Sequence, residues 1–92
     1  MQITIKFFGP IAEQVGQERV TFSFAEGATY GQLLEEVGKR FGRQLHERIW
    51  DSGQKKFKAG ILAVGEGRDL NRPEALLRDG EEIKIIPLLG GG

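Results

Sequence analysis

Few side chains in this 92-residue sequence carry chemistry of their own. His46 is the sole histidine, there is no cysteine, and the serines are Ser23 and Ser52. That inventory argues against a nucleophile–histidine catalytic arrangement, which needs a nucleophile and a base within hydrogen-bond reach of each other. No spacing of His, Asp and Glu suggests converging metal ligands. The stretch 60–66, Gly-Ile-Leu-Ala-Val-Gly-Glu, has the glycine spacing of a phosphate loop. It lacks the Lys and the Ser or Thr that would hold phosphate and Mg²⁺, so it reads as a buried strand between turns. Gly65-Glu66-Gly67 is likewise only a fragment of a dinucleotide fingerprint. What remains is the end of the sequence, Leu88-Leu89-Gly90-Gly91-Gly92. Glycine has no Cβ, so such a segment can pass through a narrow channel and leaves its carbonyls uncrowded.

The elements that must present this end are legible from periodicity. Ile3, Ile5 and Phe7 alternate with Gln2, Thr4 and Lys6, which predicts a first strand with one apolar face. Phe8 breaks the alternation onto the polar face, and Gly9-Pro10 ends the run. Residues 11–15 suit a short helical turn closed by Gly16. Val20, Phe22 and Phe24 then alternate with Arg19, Thr21 and Ser23 as a second strand, in hairpin relation to the first. Thr29 is a good N-cap. Leu33, Leu34, Val37 and Phe41 follow at helical spacing, opposite Glu35, Glu36, Lys39 and Arg40, with Gly42 as C-cap. Residues 45–50 are expected to form a second short helix, and 51–56 a turn. The apolar run 60–64 reads as a buried strand, 65–72 as a loop or short edge strand, and 73–77 as one turn of helix with Pro73 at its start. Asp79-Gly80 is a tight turn, and Ile83 and Ile85 alternate with Glu82 and Lys84 in a last strand ending at Pro87. A hairpin, a helix that cannot bury its apolar stripe alone, and later strands make an α+β arrangement. The last strand is expected to pair beside the first, giving a mixed four- to five-stranded sheet on one main helix.

Size and charge bound the rest. Ninety-two residues make one domain at most, with one modest core. Formal net charge is zero, so nothing global favours nucleic acid. No apolar run approaches the roughly 20 residues that cross a bilayer, and the N-terminus lacks a signal-peptide layout. With no cysteine, a cytoplasmic location is expected. Arg40, Arg43, Arg48, Lys55, Lys56 and Lys58 bias the middle towards positive charge, read first as a solvated face, with a patch for an acidic partner surface or for RNA as the functional alternatives. Trp50 is expected to pack over the segment between the helix and the third strand. Glu66, Asp69, Glu74, Asp79, Glu81 and Glu82 offset the basic middle with an acidic later half.

Three stretches together resemble the MoaD/ThiS family of ubiquitin-like sulfur carriers, MoaD more than ThiS. They are 3–9, Ile-Thr-Ile-Lys-Phe-Phe-Gly; 26–34, Glu-Gly-Ala-Thr-Tyr-Gly-Gln-Leu-Leu; and 77–92, from Leu77-Arg78-Asp79-Gly80 to the terminal glycines. The sequence departs from the family in having Gly65 rather than Asn after Val64, and in a longer segment over 42–58. The resemblance implies a β-grasp fold over residues 1–92, with 88–92 an extended flexible tail of roughly 17 Å. It further implies that Gly92 is adenylated with ATP by a MoeB-like enzyme and converted to a thiocarboxylate, no cofactor being bound by the chain itself. The sulfur would then go to molybdopterin synthesis with a MoaE-like large subunit. Gly90 and Gly91 would be the slender part of the arm, and Phe8, Ile86, Pro87, Leu88 and Leu89 the partner-binding surface beside it. On this reading the chain is a carrier and co-substrate, not an enzyme. Two alternatives stand beside it: a ubiquitin-like protein modifier or a carrier for thiazole, cysteine or tRNA thiolation, and a β-grasp interaction module with an inert tail.

Overall fold

The computed structural model describes residues 1–88; Leu89, Gly90, Gly91 and Gly92 lie outside the described residues. The elements run β1 Gln2–Phe7, α1 Gly9–Val15, β2 Arg19–Ser23, α2 Tyr30–Phe41, β3 Trp50–Asp51, β4 Lys56–Phe57, β5 Ile61–Gly65, β6 Arg68–Asp69 and β7 Glu82–Pro87. Five strands form one mixed sheet in the order β2-β1-β7-β5-β6, and β3 and β4 form a separate ribbon. The last strand pairs parallel to the first, with Ile5 opposite Ile83 and Phe7 opposite Ile85. It also pairs antiparallel to β5. This is the β-grasp arrangement, with the expected single main helix across one face of the sheet.

The period-two readings hold. Ile3, Ile5, Phe7, Val20, Phe22, Ile83 and Ile85 are buried on the inner face. They meet Tyr30, Leu33, Leu34, Val37 and Phe41 from α2, with the Phe7 and Phe41 rings edge to face at 6.0 Å. Helix α2 starts with a full capping box. The Thr29 hydroxyl accepts from the Gln32 N–H, and the Gln32 side chain accepts from the Thr29 N–H, which satisfies two otherwise orphaned donors. Helix α1 begins two residues earlier than the sequence suggests. Gly9-Pro10 opens it rather than merely ending β1, because proline is at ease in a first turn.

Two expected helices are absent, and each has a physical reason. Residues 45–50 form turns, with Ile49 and Trp50 N–H both donating to His46 O before the chain extends into β3. Trp50 is drawn out of any helix by its burial against Phe57, their rings 5.0 Å apart. Residues 73–77 do not coil because their carbonyls serve α2 instead. The N–H groups of Tyr30 and Gly31 donate to Ala75 O and Pro73 O, both at 2.8 Å. These are first-turn donors that the helix itself cannot satisfy.

Glu81, which the sequence shows only as one of an acidic later half, is 1 % exposed. Arg68 grips it with two hydrogen bonds, Nε to Oε2 at 3.0 Å and Nη2 to Oε1 at 2.6 Å. The N–H groups of Glu66 and Arg78 donate to the same carboxylate. Arg68 also donates to Leu76 O. A Cβ at Gly65 would collide with Glu81 Oε2, so the glycine after Val64 is what admits the carboxylate. Burial pushes the Glu81 pKa up, but the hydrogen bonds from Arg68, Arg78 and Glu66 outweigh it and hold the group below the usual glutamate value.

Removing this carboxylate leaves a part-buried guanidinium and two amides without their partner. Glu81→Ala should therefore cost about 3–5 kcal/mol in urea unfolding at neutral pH. Because the folded value is depressed, the Glu81 contribution is complete above the usual glutamate range and disappears as pH falls through the folded value. The gap between parent and Glu81→Ala should accordingly shrink in acid; a gap independent of pH would contradict this account.

Candidate functional site

Strand β7 lies inside the sheet, flanked by β1 and β5, and it carries the chain to its last described residues. Its inner-face residues, Ile83 and Ile85, are fully buried. Ile86 therefore falls on the outer face, away from α2, and is half-buried there. Ile86 pairs with Leu62 and Pro87 with Ile61. Pairing does not stop at the proline. The Leu88 N–H donates to Gly60 O at 2.6 Å, one residue beyond Pro87. Leu88 is thus fixed by its backbone while its side chain is 60 % exposed. Gly60 offers that carbonyl from a turn with φ +92°, a conformation that suits glycine.

Phe8 comes to the same corner from β1. Its N–H donates to Ile85 O at 3.2 Å, and its extended backbone is the N-cap of α1. The Lys6 ammonium stands 5.1 Å from the centre of the Phe8 ring. Lys6 alternates with buried Ile5 and Phe7, so this contact puts the Phe8 ring on the outer face as well. Across the strands the outer face carries Phe8, Ile86 and Leu62 in one row, and Lys6, Lys84 and Val64 in the next. Leu62 and Val64 are half-buried residues that sequence reasoning placed inside a buried run. The signal that could have found them is strand alternation about Ala63, which is buried at 6 %.

Of the residues singled out in the sequence, Phe8, Ile86, Pro87 and Leu88 thus meet at one end of the sheet. Leu89, Gly90, Gly91 and Gly92 are outside the described residues. The ionisable groups with shifted pKa lie elsewhere. Glu81 and Arg68 pin the start of β7, and burial pushes the Tyr30 phenol up in the first turn of α2. Among the described residues no group of His, Asp and Glu is arranged to hold a metal ion, and no helix is long and apolar enough to cross a membrane. His46 is exposed, and its Nδ1 accepts from the Arg48 N–H at 3.0 Å. What the site offers is a partly apolar, cationic surface beside the end of a firmly held strand. Contiguous surfaces of that kind mark partner contacts.

Comparison with known proteins is consistent in kind. The sequence model of the ThiS family matches residues 5–92. The chain is 27 % identical over 93 residues to small archaeal modifier protein 3 of Haloferax volcanii, and 29 % identical over 92 residues to the molybdopterin synthase sulfur carrier subunit of Chlamydomonas reinhardtii. Both alignments cover all of this chain and all of the relative. In fold it is similar to the crystal structure of SAMP1 from Haloferax volcanii, with a TM-score of 0.81 at 21 % identity and full coverage of both chains.

The Leu88 bond gives this corner a test. Its amide should exchange with solvent at least about tenfold more slowly than an unstructured one. Gly60→Ala should abolish that protection and cost on the order of 1 kcal/mol, since alanine resists the backbone angle that presents the carbonyl. Unprotected exchange at Leu88 in the parent chain would remove the anchor.

Proposed function

Because the chain belongs to the ThiS family of small ubiquitin-like sulfur carriers, we propose that it carries sulfur as a thiocarboxylate on Gly92. The observation that carries this reading is the family match, which runs through residue 92. The chemistry starts from a poor electrophile. A carboxylate oxygen of Gly92 attacks the α-phosphorus of ATP in a MoeB-like partner, and pyrophosphate leaves. Hydrosulfide, delivered by the partner system, then attacks the acyl carbon; the C–S bond forms, the C–O bond to AMP breaks, and AMP departs. Glycine at 90, 91 and 92 keeps the arm slender enough for a buried site and leaves the attacked carbon unshielded. With Leu88 tied to Gly60, residues 89–92 could reach at most roughly 13–14 Å, less than the five-residue arm expected from sequence.

The chain's own part is to be recognised and to stay rigid. Phe8, Leu62 and Ile86 on the outer face, with Pro87, Leu88 and Leu89 leading into the arm, are the proposed docking surface for the activating enzyme. The same surface would meet a MoaE-like large subunit in cytoplasmic molybdopterin synthesis. The 29 % identity to a molybdopterin synthase sulfur carrier subunit supports that acceptor. A second reading, conjugation of activated Gly92 to lysines of target proteins, is supported by the 27 % identity to a small archaeal modifier protein. Both use one activated terminus and diverge only in the nucleophile.

Incubation with a cognate activating enzyme, ATP and a sulfide source should raise the mass of the intact chain by about 16 Da, one oxygen exchanged for sulfur at an activated acyl centre. Deletion of Gly92 should abolish the product. Ile86→Glu and Leu62→Glu should weaken capture by the activating enzyme about tenfold or more, as expected for charge placed in the middle of an apolar contact. Failure of every cognate enzyme to yield the thiocarboxylate would sink the carrier reading. Recovery of Gly92 in isopeptide linkage from cells would favour the modifier.

A further inference from the structure

A groove of about 420 Å³ lies between a flank of α2 and the β3–β4 ribbon. Its floor is Trp50, the sole tryptophan of the chain. The indole reaches this position because of Gly38: a Cβ built there would stand 3.1 Å from the ring. Glycine inside a helix is unfavourable relative to alanine, so this close approach is obtained at the expense of helix propensity. Trp50 is only 4 % exposed. It nevertheless lines the groove.

The rim is cationic. Lys39, Arg43 and Lys55 line it, together with Ser52. Glu35 is the one acidic lining residue. Lys39 leans 3.3 Å from Glu36 on the helix surface. Arg43 and Lys55 make no ion pair among the described residues. Lys55 is also the one non-glycine residue among them with positive φ, at 54°. Glycine or asparagine would sit there with less strain. The ribbon thus holds a lysine at a backbone position that disfavours it, and that lysine borders both this groove and the next one along the same face.

We propose that this groove docks an acidic peptide segment of a partner protein, with a glutamate or aspartate carboxylate seated between Arg43 and Lys55 above Trp50. Charge complementarity decides the occupant. The excess of cations over Glu35 calls for an anion. Single-stranded nucleic acid is the poorer match. Base recognition uses exposed aromatic faces, whereas the Trp50 ring is buried against Gly38 and Phe57. The groove is separated from the outer face of the sheet by the helix and core, so a partner seated on that face leaves it open. The inference stands independently of what becomes of Gly92.

The test is a titration of the full chain with a short peptide of alternating glutamate and leucine, read by Trp50 fluorescence and by backbone amide shifts at Gly38, Ser52 and Lys55. Saturable changes at Trp50 are expected. Arg43→Ala and Lys55→Gly should each weaken binding about twofold to fivefold, the worth of one exposed ion pair. Lys55→Gly should melt no lower than the parent, so its loss of affinity cannot be unfolding. Arg48→Ala removes a cation of the same basic stretch that does not line the groove, and it should leave the affinity unchanged. The proposal is overturned if Trp50 gives no saturable response, if Arg48→Ala weakens binding as much as Lys55→Gly, or if oligouridylate binds at Trp50 more tightly than the peptide.

Discussion

Glu81 is a carboxylate almost without solvent, held by both donor arms of Arg68 and by two backbone amides. It sits immediately before β7, and its own carbonyl accepts from the Thr4 N–H at 3.1 Å, tying that start to β1. Two neighbouring contacts fix the same junction. Gly80 N–H donates to Gln2 O, and Gln2 N–H donates to the Asp79 carboxylate. Where β7 begins therefore decides its register. A slip of one residue would turn Ile83 and Ile85 to solvent and bring Lys84 and Ile86 into the core. The inner face, the outer row of Phe8, Ile86 and Leu62, and the place where Leu88 meets Gly60 all follow from this one anchorage.

A buried ion pair is seldom the most stabilising solution for a core, since desolvation cancels much of its attraction. Its use here is better understood as specifying the strand. Parallel pairing of β1 with β7 is the long-range contact on which the fold turns, and an apolar face alone, though it forbids a slip of one residue, would tolerate a slip of two. The carboxylate accepts only one arrangement of donors. Gly65 completes the fit, because any side chain at that position would occupy the space of the Glu81 oxygen.

Much of the frame could be read from the sequence, for reasons that are local. Alternation in β1, β2 and β7 and the Thr29–Gln32 cap of α2 are encoded within a few residues each. The features that could not be read depend on distant partners. Residues 45–50 have helical spacing, but Trp50 finds a better place against Gly38 and Phe57. Residues 73–77 look like a helical turn, yet their carbonyls are taken by Tyr30 and Gly31 more than forty positions earlier. Glu81 lies outside any periodic element, so nothing local distinguishes it from Glu82 beside it. In the candidate site, Phe8 and Ile86 were legible as breaks in alternation. Leu62 and Val64 were not, because a continuous apolar run hides which side faces out.

The distribution of charge extends the same logic from fold to recognition. A formal net charge of zero over 92 residues suggests no preference, yet some of the cations are grouped. Glu81 is the one buried acid among the described residues, and it holds structure at the head of β7. Four of the lysines and arginines stand at two surfaces: Lys6 and Lys84 beside the apolar row of the sheet, and Arg43 and Lys55 around Trp50. Separated patches of one sign steer partners more effectively than an even mixture, because each creates its own local potential within a screening length of roughly 8–10 Å. A domain of 92 residues has little area to divide among partners. Placing two cationic surfaces on either side of a helix-covered sheet lets one be occupied without masking the other, and the rigid register set by Glu81 keeps the two in fixed relation.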